Sequence, residues 1–232
     1  MKRNRLRALL VLPCILGACG APRIAGVPVE DPVLVAGLRK RVEAPYPASF
    51  RAQHRVTLTF RGKQFDFTGY LLVRRPGTWR AMAFGEFGGS LFDIAAFPGR
   101  GLRIIKNPGA IRERWLTGPA ADIIKILYLP PEGEPVSVSK TPSSIVLAYF
   151  RGTGALEFGF PGGESGLAES RFSVSRGGAV YDIVYSDYAE FAGLEQKVPR
   201  HIVVENKRMQ LRLDMDLIKF EPMEIPENYF AI

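Results

Sequence analysis

The side chains that could carry chemistry are few, and their spacing does not build a catalytic site. The two histidines, His54 and His201, lie far apart in the chain and form no His-x-x-x-His or His-Glu-x-x-His pair that would bind zinc. His54 falls in the apolar register of a predicted strand, where a hydrogen-bonded core residue is expected rather than a general base. Ser165 lies in a glycine-rich turn that does not match the Gly-x-Ser-x-Gly elbow of a serine nucleophile. Paired carboxylates depend on tertiary contacts and stay open here, but the residue types predict a protein that is not an enzyme and uses no cofactor or metal.

Cys19 is the residue with a predicted covalent role. It ends the run Leu16–Cys19, and before it a basic head, Met1–Arg7, leads into an apolar segment, Ala8–Ala18, that is too short to span a bilayer. The run Leu-Gly-Ala-Cys resembles the lipobox of bacterial lipoprotein signal peptides. This resemblance implies that the signal peptide 1–18 is removed and that the Cys19 thiol receives a diacylglycerol. The alternatives are an ordinary signal peptide with an incidental cysteine and an uncleaved leader.

Removal of this leader changes the composition. Taking 18 residues from 232 leaves a mature chain of 214 residues, and the loss of four cations lowers the formal net charge from +8 to +4. This length suffices for one β domain with a core. Because Cys14 leaves with the leader, the mature chain has no disulfide. The mild positive charge suits an anionic surface or partner, and no dense block of Lys and Arg predicts nucleic-acid binding.

The mature chain is predicted to begin with a tether and a helix. Residues 19–30 contain proline and glycine at several positions and are predicted to form the tether. Asp31 and Pro32 have the residue types preferred at the N-cap and the first helical position. The cations at 39–41 suit the last turn, and Pro45 ends a predicted helix of about 11 residues.

From residue 50 onward the hydrophobic period changes from that of a helix to that of a strand. Apolar and polar residues alternate without a break over 50–61, and glycine and proline turn signals separate further strand patterns. The predicted strands cover 50–60, 65–73, 78–84, 89–97, 101–106, 144–150, 155–160, 168–176, 179–186, 200–206 and 209–220. About eleven consecutive antiparallel strands predict a mainly β protein whose sheet curls or closes into a barrel. Its predicted inner face carries Phe50, Phe60, Phe65, Phe67, Val73, Leu91, Leu211 and Leu213.

One helical insertion interrupts the strands. Thr117–Pro119 opens it, Ile123–Leu127 is apolar apart from Lys125, and Pro130 follows its end, whereas 107–116 and 132–142 are predicted loops. If this helix packs into the barrel mouth, the interior becomes an apolar groove with a lid; if it packs outside, the core is simply filled. The predicted wall of a cavity beneath the helix is Phe60, Phe67, Leu71, Phe92, Ile94, Ile123, Ile124, Leu127 and Leu213. Plain core packing explains each of these residues about equally well.

Three local patterns in the meander are similar to the LolB family of outer-membrane lipoprotein receptors. They are the strand and turn Gly69–Gly77, the strand Trp79–Phe84 with the small-residue turn Phe87–Ser90, and the pair Val198–Ile202 and Leu211–Phe220. Together with the lipobox, the N-terminal helix and the central helix, they make a resemblance that covers roughly 31–220.

The resemblance implies a half-open antiparallel β-barrel of about 11 strands in one domain, 31–232, with two helices acting as plug or lid. It also implies a lipid-anchored protein at the periplasmic face of the bacterial outer membrane, consistent with Gly20 after the cysteine. In this family an apolar cavity holds acyl chains of lipoproteins or lipids received from a periplasmic LolA-like carrier. An exposed apolar loop residue contacts the membrane; here the turn Arg74–Thr78 is basic, which leaves Trp79 as the predicted membrane contact.

Two other interpretations stay open. The first is a non-catalytic structural or assembly lipoprotein that binds a protein partner in the envelope. The tail Pro222–Phe230 would then serve as an interaction segment, although it could equally cover one end of the barrel. The second is a filled barrel without a ligand. An empty apolar cavity of more than roughly a few hundred Å³ would favour the carrier, and a packed interior would exclude it.

Overall fold

The computed structural model describes the residues 26–43, 46–109, 111–129, 131, 133–151, 154–161, 169–174, 180–194 and 196–230. The predicted signal peptide, Cys19 and most of the predicted tether lie outside these residues, as does Ser165. Within the described ranges, no helix has both the length and the apolar character needed to cross a membrane.

The described strands form one antiparallel sheet of thirteen strands. They are β1 (Val27–Pro28), β2 (Ser49–Phe60), β3 (Lys63–Arg74), β4 (Thr78–Gly85), β5 (Ser90–Phe97), β6 (Gly101–Lys106), β7 (Ser137–Lys140), β8 (Ser144–Arg151), β9 (Gly154–Pro161), β10 (Glu169–Val174), β11 (Val180–Ala189), β12 (Val198–Asn206) and β13 (Leu211–Pro222). Their spatial order is β1-β7-β8-β9-β10-β11-β12-β13-β2-β3-β4-β5-β6. The sheet is therefore not closed: β1 and β6 are its two edges, and β13 joins the halves by pairing with β2.

Two helical segments accompany the sheet. The first is α1 (Pro32–Glu43), and the second is a continuous run made of α2 (Glu113–Trp115), a π-helical turn (Leu116–Ala120) and α3 (Ala121–Tyr128). We call this second run the helical cover. It carries the chain from edge strand β6 to β7 on the other side of the sheet, and its buried residues join the core that covers the inner face of the sheet.

Consecutive strands run in opposite directions, so the turns that connect them lie alternately at two opposite ends of the sheet. We call these ends the upper rim and the lower rim. The upper rim carries the turns 61–62, 86–89 and 207–210, and the lower rim carries 75–77, 98–100 and 190–197. The chain enters β1 from the lower rim, and the helical cover begins near the upper rim after β6.

The prediction of a mainly β, half-open barrel with two helices is confirmed, with all eleven predicted strands present. The strands missed were β1 and β7, of two and four residues. The segment of β7 lies in what was predicted to be a loop. Strands this short have almost no period of their own, and they form because they pair with each other and because β7 also pairs with β8.

The alternation in β2 is confirmed. Phe50, Ala52 and Val56 are buried on the inner face, while Arg51 and Arg55 are exposed. Phe65 of β3 is opposite Leu58 in the same register but is 50% exposed. The pairing of β4 with β3 begins only at Phe67, so Phe65 lies beyond the covered part of the inner face.

On β5 the inward residues are Phe92 and Ile94, which are opposite the small residues Ala83 and Ala81 of β4. Leu91 is half-buried at a β-bulge, where the register between β4 and β5 shifts and the simple alternation is interrupted.

The predicted start of α1 is confirmed. Asp31 Oδ1 accepts hydrogen bonds from the backbone N–H groups of Val33 and Leu34, at 2.9 and 3.1 Å. These bonds satisfy two donors that the first helical turn leaves unpaired. Leu38 and Val42 then place the helix against the core.

The helical cover begins earlier than predicted, at Glu113 instead of Thr117. Gly118 and Pro119 were interpreted as a helix start, yet they lie inside the π-helical turn. A proline lacks the N–H that a regular helix interior requires, and the wider i→i+5 turn accommodates it. The last residues of the predicted loop 107–116 are therefore helical.

The C-terminal tail covers the outer face of the sheet. Ile225 and Phe230 are buried against Leu72, which points away from the core. Arg80 donates from Nη1 to the carbonyl oxygen of Tyr229 at 2.6 Å and pairs with Asp93 at the same distance. The tail therefore packs on strands β3 to β5, not on an end of the barrel.

Candidate functional site

In the described part of the chain, Tyr128 borders two cavities on the inner side of the sheet. The upper cavity has a volume of about 150 Å³ and lies between the helical cover and the inner faces of β2 to β5 and β13. Its wall is made of aliphatic and aromatic side chains with His54, Tyr70, Trp115 and Tyr128 as its polar members. Among the described residues, no Asp, Glu, Lys or Arg lines it.

The structure brings together six of the nine predicted wall residues. The upper cavity is lined by Phe67, Leu71, Phe92, Ile123, Ile124 and Leu213. Leu127 lines the second cavity instead, and Phe60 and Ile94 line neither. The ring of Phe60 packs edge-on against Trp115, with centroids 4.5 Å apart, and Ile94 is fully buried in the core. That these residues contact a ligand remains a prediction.

Several lining residues were missed by the sequence analysis. Leu58 of β2 and Met215 of β13 each lie opposite an inward residue of the other strand. The alternation of these two strands could therefore have predicted that both face the cavity. Ile111 and Trp115 had no such signal, because they lie in a segment predicted to be a loop and reach the cavity only through the fold of the helical cover.

A buried hydrogen bond fastens the helical cover to the sheet. The Tyr128 hydroxyl of α3 lies 2.6 Å from Nε2 of His54 on β2, and both residues are buried. Burial lowers the pKa of His54 to about 4, so the imidazole is neutral at pH 7. Burial also raises the pKa of Tyr128, and the phenol stays protonated. The prediction of His54 as a hydrogen-bonded core residue is confirmed.

The other candidate chemical groups do not converge. His201 lies within β12 and not at a strand edge, with Nδ1 2.8 Å from Oδ1 of Asp216. Asp182 and Asp187 pair with arginines of neighbouring strands on the surface. Within the described part of the chain, no three His, Cys, Asp or Glu side chains are grouped so as to hold a metal ion.

The lower cavity is larger, with a volume of about 360 Å³. It is bordered by the last turn of α1, the end of α3, the β3–β4 turn and the β11–β12 connection. Its aromatic lining consists of Tyr46, Tyr128, Phe158, Tyr185 and Tyr188, and its cations are Arg41, Arg75 and Lys197. Burial raises the pKa of Tyr185 to about 12, although the hydrogen bond between Tyr185 and Ser170 lowers it, so this phenol is neutral.

The structure corrects the prediction for Trp79. Its side chain is fully buried, because Trp79 lies on the inner face of β4 together with Ala81 and Ala83. A residue in that position does not reach a membrane surface. The most exposed aromatic residue that the structure describes is Phe87, which is 98% exposed at the tip of the β4–β5 turn on the upper rim. Its flanking glycines, Gly85 and Gly88–Gly89, mark a turn tip in the sequence and were the available signal.

Comparison with known proteins shows the fold. No protein-family model matches the sequence, and no curated protein matches it at a significant level. A LolA superfamily protein from Nitrosomonas europaea superposes with a TM-score of 0.61 over 86% of this chain and 96% of that chain, at 11% identity. A putative outer membrane lipoprotein-sorting protein domain from Vibrio parahaemolyticus gives 0.49 over 85% and 94%, at 10% identity. A DUF1329 family protein from Desulfovibrio piger gives 0.46 over 86% and 95%, at 12% identity.

The fold is therefore similar to that of the LolA superfamily. The resemblance predicted from the sequence was to the LolB family, and the structural likeness shows a LolA-like fold without showing LolB specifically.

Proposed function

We propose that this protein is an envelope lipoprotein that holds acyl chains of lipoproteins or lipids in the upper cavity and passes them on at the outer membrane. The observation that carries the proposal is the uncharged, apolar cavity between an open sheet and a helical cover. Pockets that bind hydrophobic ligands have this lining, with few polar groups to fix orientation. The LolA-like fold supports the same function.

The wall of the cavity selects the class of ligand. Hydrocarbon burial stabilises a bound chain by about 0.8 kcal/mol per methylene, and no charged side chain competes for the space. A polar or charged ligand would lose its hydration here without gaining a matching partner. The proposed activity breaks no bond and requires no cofactor.

The proposal requires the cover to move when a full chain binds, because the upper cavity is smaller than the roughly few hundred Å³ expected of a carrier. A cavity of about 150 Å³ accommodates a ligand of about the size of benzene, which is much shorter than an acyl chain. The π-helical turn is the proposed hinge, because π-type turns inside helices are frequent at functional sites. Outward rotation of α3 about this turn would break the hydrogen bond between His54 and Tyr128 and enlarge the cavity.

The proposal places the protein on a lipid anchor at Cys19, at the periplasmic face of the outer membrane. The tether 19–30 would join this anchor to a single domain, 31–232. A soluble periplasmic LolA-like carrier is the proposed donor of the acyl chain. We assign to Phe87 the contact with the carrier, because it is the most exposed aromatic side chain that the structure describes at the upper rim.

Ligand binding by the mature chain, residues 19–232 with Cys19→Ser, tests the proposal. A fluorescent fatty acid should bind saturably. Ile124→Glu, which places a carboxylate in the cavity wall, should weaken binding at least tenfold. Lys125→Glu is the matched control, since Lys125 lies on the exposed side of the same helix, and it should bind like the parent.

Circular dichroism and thermal unfolding show whether each variant retains the fold. Absence of saturable binding to any acylated ligand would overturn the carrier proposal. A protein-binding assembly lipoprotein would then be favoured, with the exposed Phe87 as its first candidate contact.

A further inference from the structure

The lower cavity differs from the upper one in charge. Arg41, Arg75 and Lys197 line it, and the described lining residues include no Asp or Glu. Its floor is nevertheless apolar and aromatic, formed in part by Tyr46 and Phe158. A hydrocarbon ligand would not require three cations in the cavity wall, and a small anion would not require an apolar, aromatic floor. The combination fits an amphiphile with a negative headgroup.

Arg75 is the cation built most deeply into this site. It lies in the β3–β4 turn, where its backbone N–H donates to the carbonyl oxygen of Ala48 at 2.7 Å and holds the turn against the start of β2. Its Nε and Nη2 atoms are shielded from solvent. A guanidinium in this position attracts an anion more strongly than a fully hydrated one, because less water screens the charge.

We propose that the lower cavity binds the anionic headgroup of an acyl lipid, with Arg75 and Arg41 contacting the negative charge and Lys197 at the rim. The inference rests on the proposed acyl-binding function and extends it from a hydrocarbon site to a class of ligand. Tyr128 borders both cavities, so the chain of a lipid seated in the lower cavity points toward the upper one.

The position of the lower cavity supports this assignment. Its mouth includes residues of the lower rim, and the chain also enters β1 from that rim. Residues 19–25 span at most about 25 Å when fully extended. An anchor at Cys19 would therefore hold the lower rim close to the membrane surface, where lipid headgroups are located.

All three cations also have interactions within the protein. Arg41 lies in the last turn of α1, where a cation suits the helix dipole, and Lys197 pairs with Glu190 at 3.5 Å. These roles would stabilise the fold without any ligand. The test therefore measures headgroup preference, which a merely structural role would not change.

The experiment compares two probes with the same palmitoyl chain, lysophosphatidylglycerol and lysophosphatidylcholine, by calorimetric titration of the mature chain below their micelle concentrations. The anionic lipid should bind about tenfold more tightly than the zwitterionic one. Arg75→Gln should remove most of this preference, because it should weaken lysophosphatidylglycerol binding more than lysophosphatidylcholine binding. Arg75→Lys, which retains the charge, should keep part of it.

Arg100→Gln is the matched control, since Arg100 lies on the β5–β6 turn of the same rim but does not line the cavity. Equal affinity of the parent for both probes would overturn the headgroup inference while leaving acyl binding intact. Failure of both probes to bind would instead count against the proposed function. If Arg75→Gln does not fold, Lys197→Gln and Arg75→Lys take its place, and an unchanged preference in both would also overturn the inference.

Discussion

His54 and Tyr128 show how a single polar pair links the cavity to the stability of the fold. The two side chains connect β2 to α3 from within an otherwise apolar wall. Leaving either partner buried without the other costs about 1–3 kcal/mol, so the pair favours the closed cover. In the proposed function, ligand entry must compensate for the loss of this bond.

The lowered pKa of His54 makes the stability depend on pH. The folded state holds His54 neutral down to about pH 4, whereas the unfolded chain takes up a proton near pH 6.5. The unfolded state therefore binds more protons below pH 6.5, and stability falls as the pH drops from about 6.5 to 4. The loss attributable to His54 is about 3 kcal/mol.

Urea unfolding of the parent and of His54→Gln, at several pH values between 4 and 7, checks this prediction. Glutamine retains a hydrogen-bonding group toward Tyr128 but does not titrate in this range. The difference in unfolding free energy between the two proteins should shift by about 3 kcal/mol in favour of the variant as the pH falls. A difference that stays constant would show that His54 is already protonated or is not buried.

Cys19 carries the prediction of a lipid anchor. Cys19→Ser removes the thiol that would receive the diacylglycerol, so the cells should yield a protein that no longer labels with radioactive palmitate and no longer partitions into detergent. Cys14→Ser is the matched control and should label like the parent, because Cys14 belongs to the predicted leader. Unchanged labelling of Cys19→Ser would place the lipid elsewhere.

At the scale of the strand, the register of β2 decides which side chains face the core. Val56 is buried on the inner face, and Val56→Asp should cost several kcal/mol, because it buries an unpaired charge. Thr59→Asp on the outer face is the control, since Thr59 is opposite Arg212 of β13 and Gln64 of β3. Its effect should stay within about 0.5 kcal/mol. Equal melting temperatures of the two variants would contradict the register.

The β4–β5 turn carries the exposed Phe87. Substitution of Phe87 tests the transfer of a fatty acid separately from its binding. Phe87→Ser should leave the melting temperature and the affinity for a fluorescent fatty acid unchanged, because Phe87 is 98% exposed and lies outside the cavity wall. Transfer of the fluorescent fatty acid from a LolA-like carrier to this protein should slow severalfold. Phe150→Ser is the control, since Phe150 is exposed on β8. Equal transfer rates in both variants would remove the contact role of Phe87.

Across the whole molecule, the features that could be predicted from the sequence were those with a local pattern of apolar and polar residues. The unbroken alternation over 50–61 was enough to place β2, and the same signal recovered the other long strands. The N-cap of α1 was likewise readable from Asp31 and Pro32. The two-residue spacing of Trp79, Ala81 and Ala83 was also present in the sequence, and it would have placed Trp79 on the inner face of the sheet.

What the sequence did not reveal depends on contacts between distant segments. The strands β1 and β7 form because they pair with each other and because β7 also pairs with β8. The cavities exist because the helical cover lies across the sheet. The cations Arg41, Arg75 and Lys197 come from three separate parts of the chain, and no spacing predicts that they line one cavity.

Photolabelling with a diazirine analogue of palmitate gives the most direct test of acyl binding on the inner side of the sheet. After irradiation of the mature chain, mass spectrometry locates the labelled peptides. We expect saturable labelling of β2, β3 and α3, which line the upper cavity, and its loss when unlabelled palmitate competes. Labelling confined to the outer face, for example around the exposed Val184 and Phe150, or labelling that palmitate does not reduce, would contradict acyl-chain binding within the barrel.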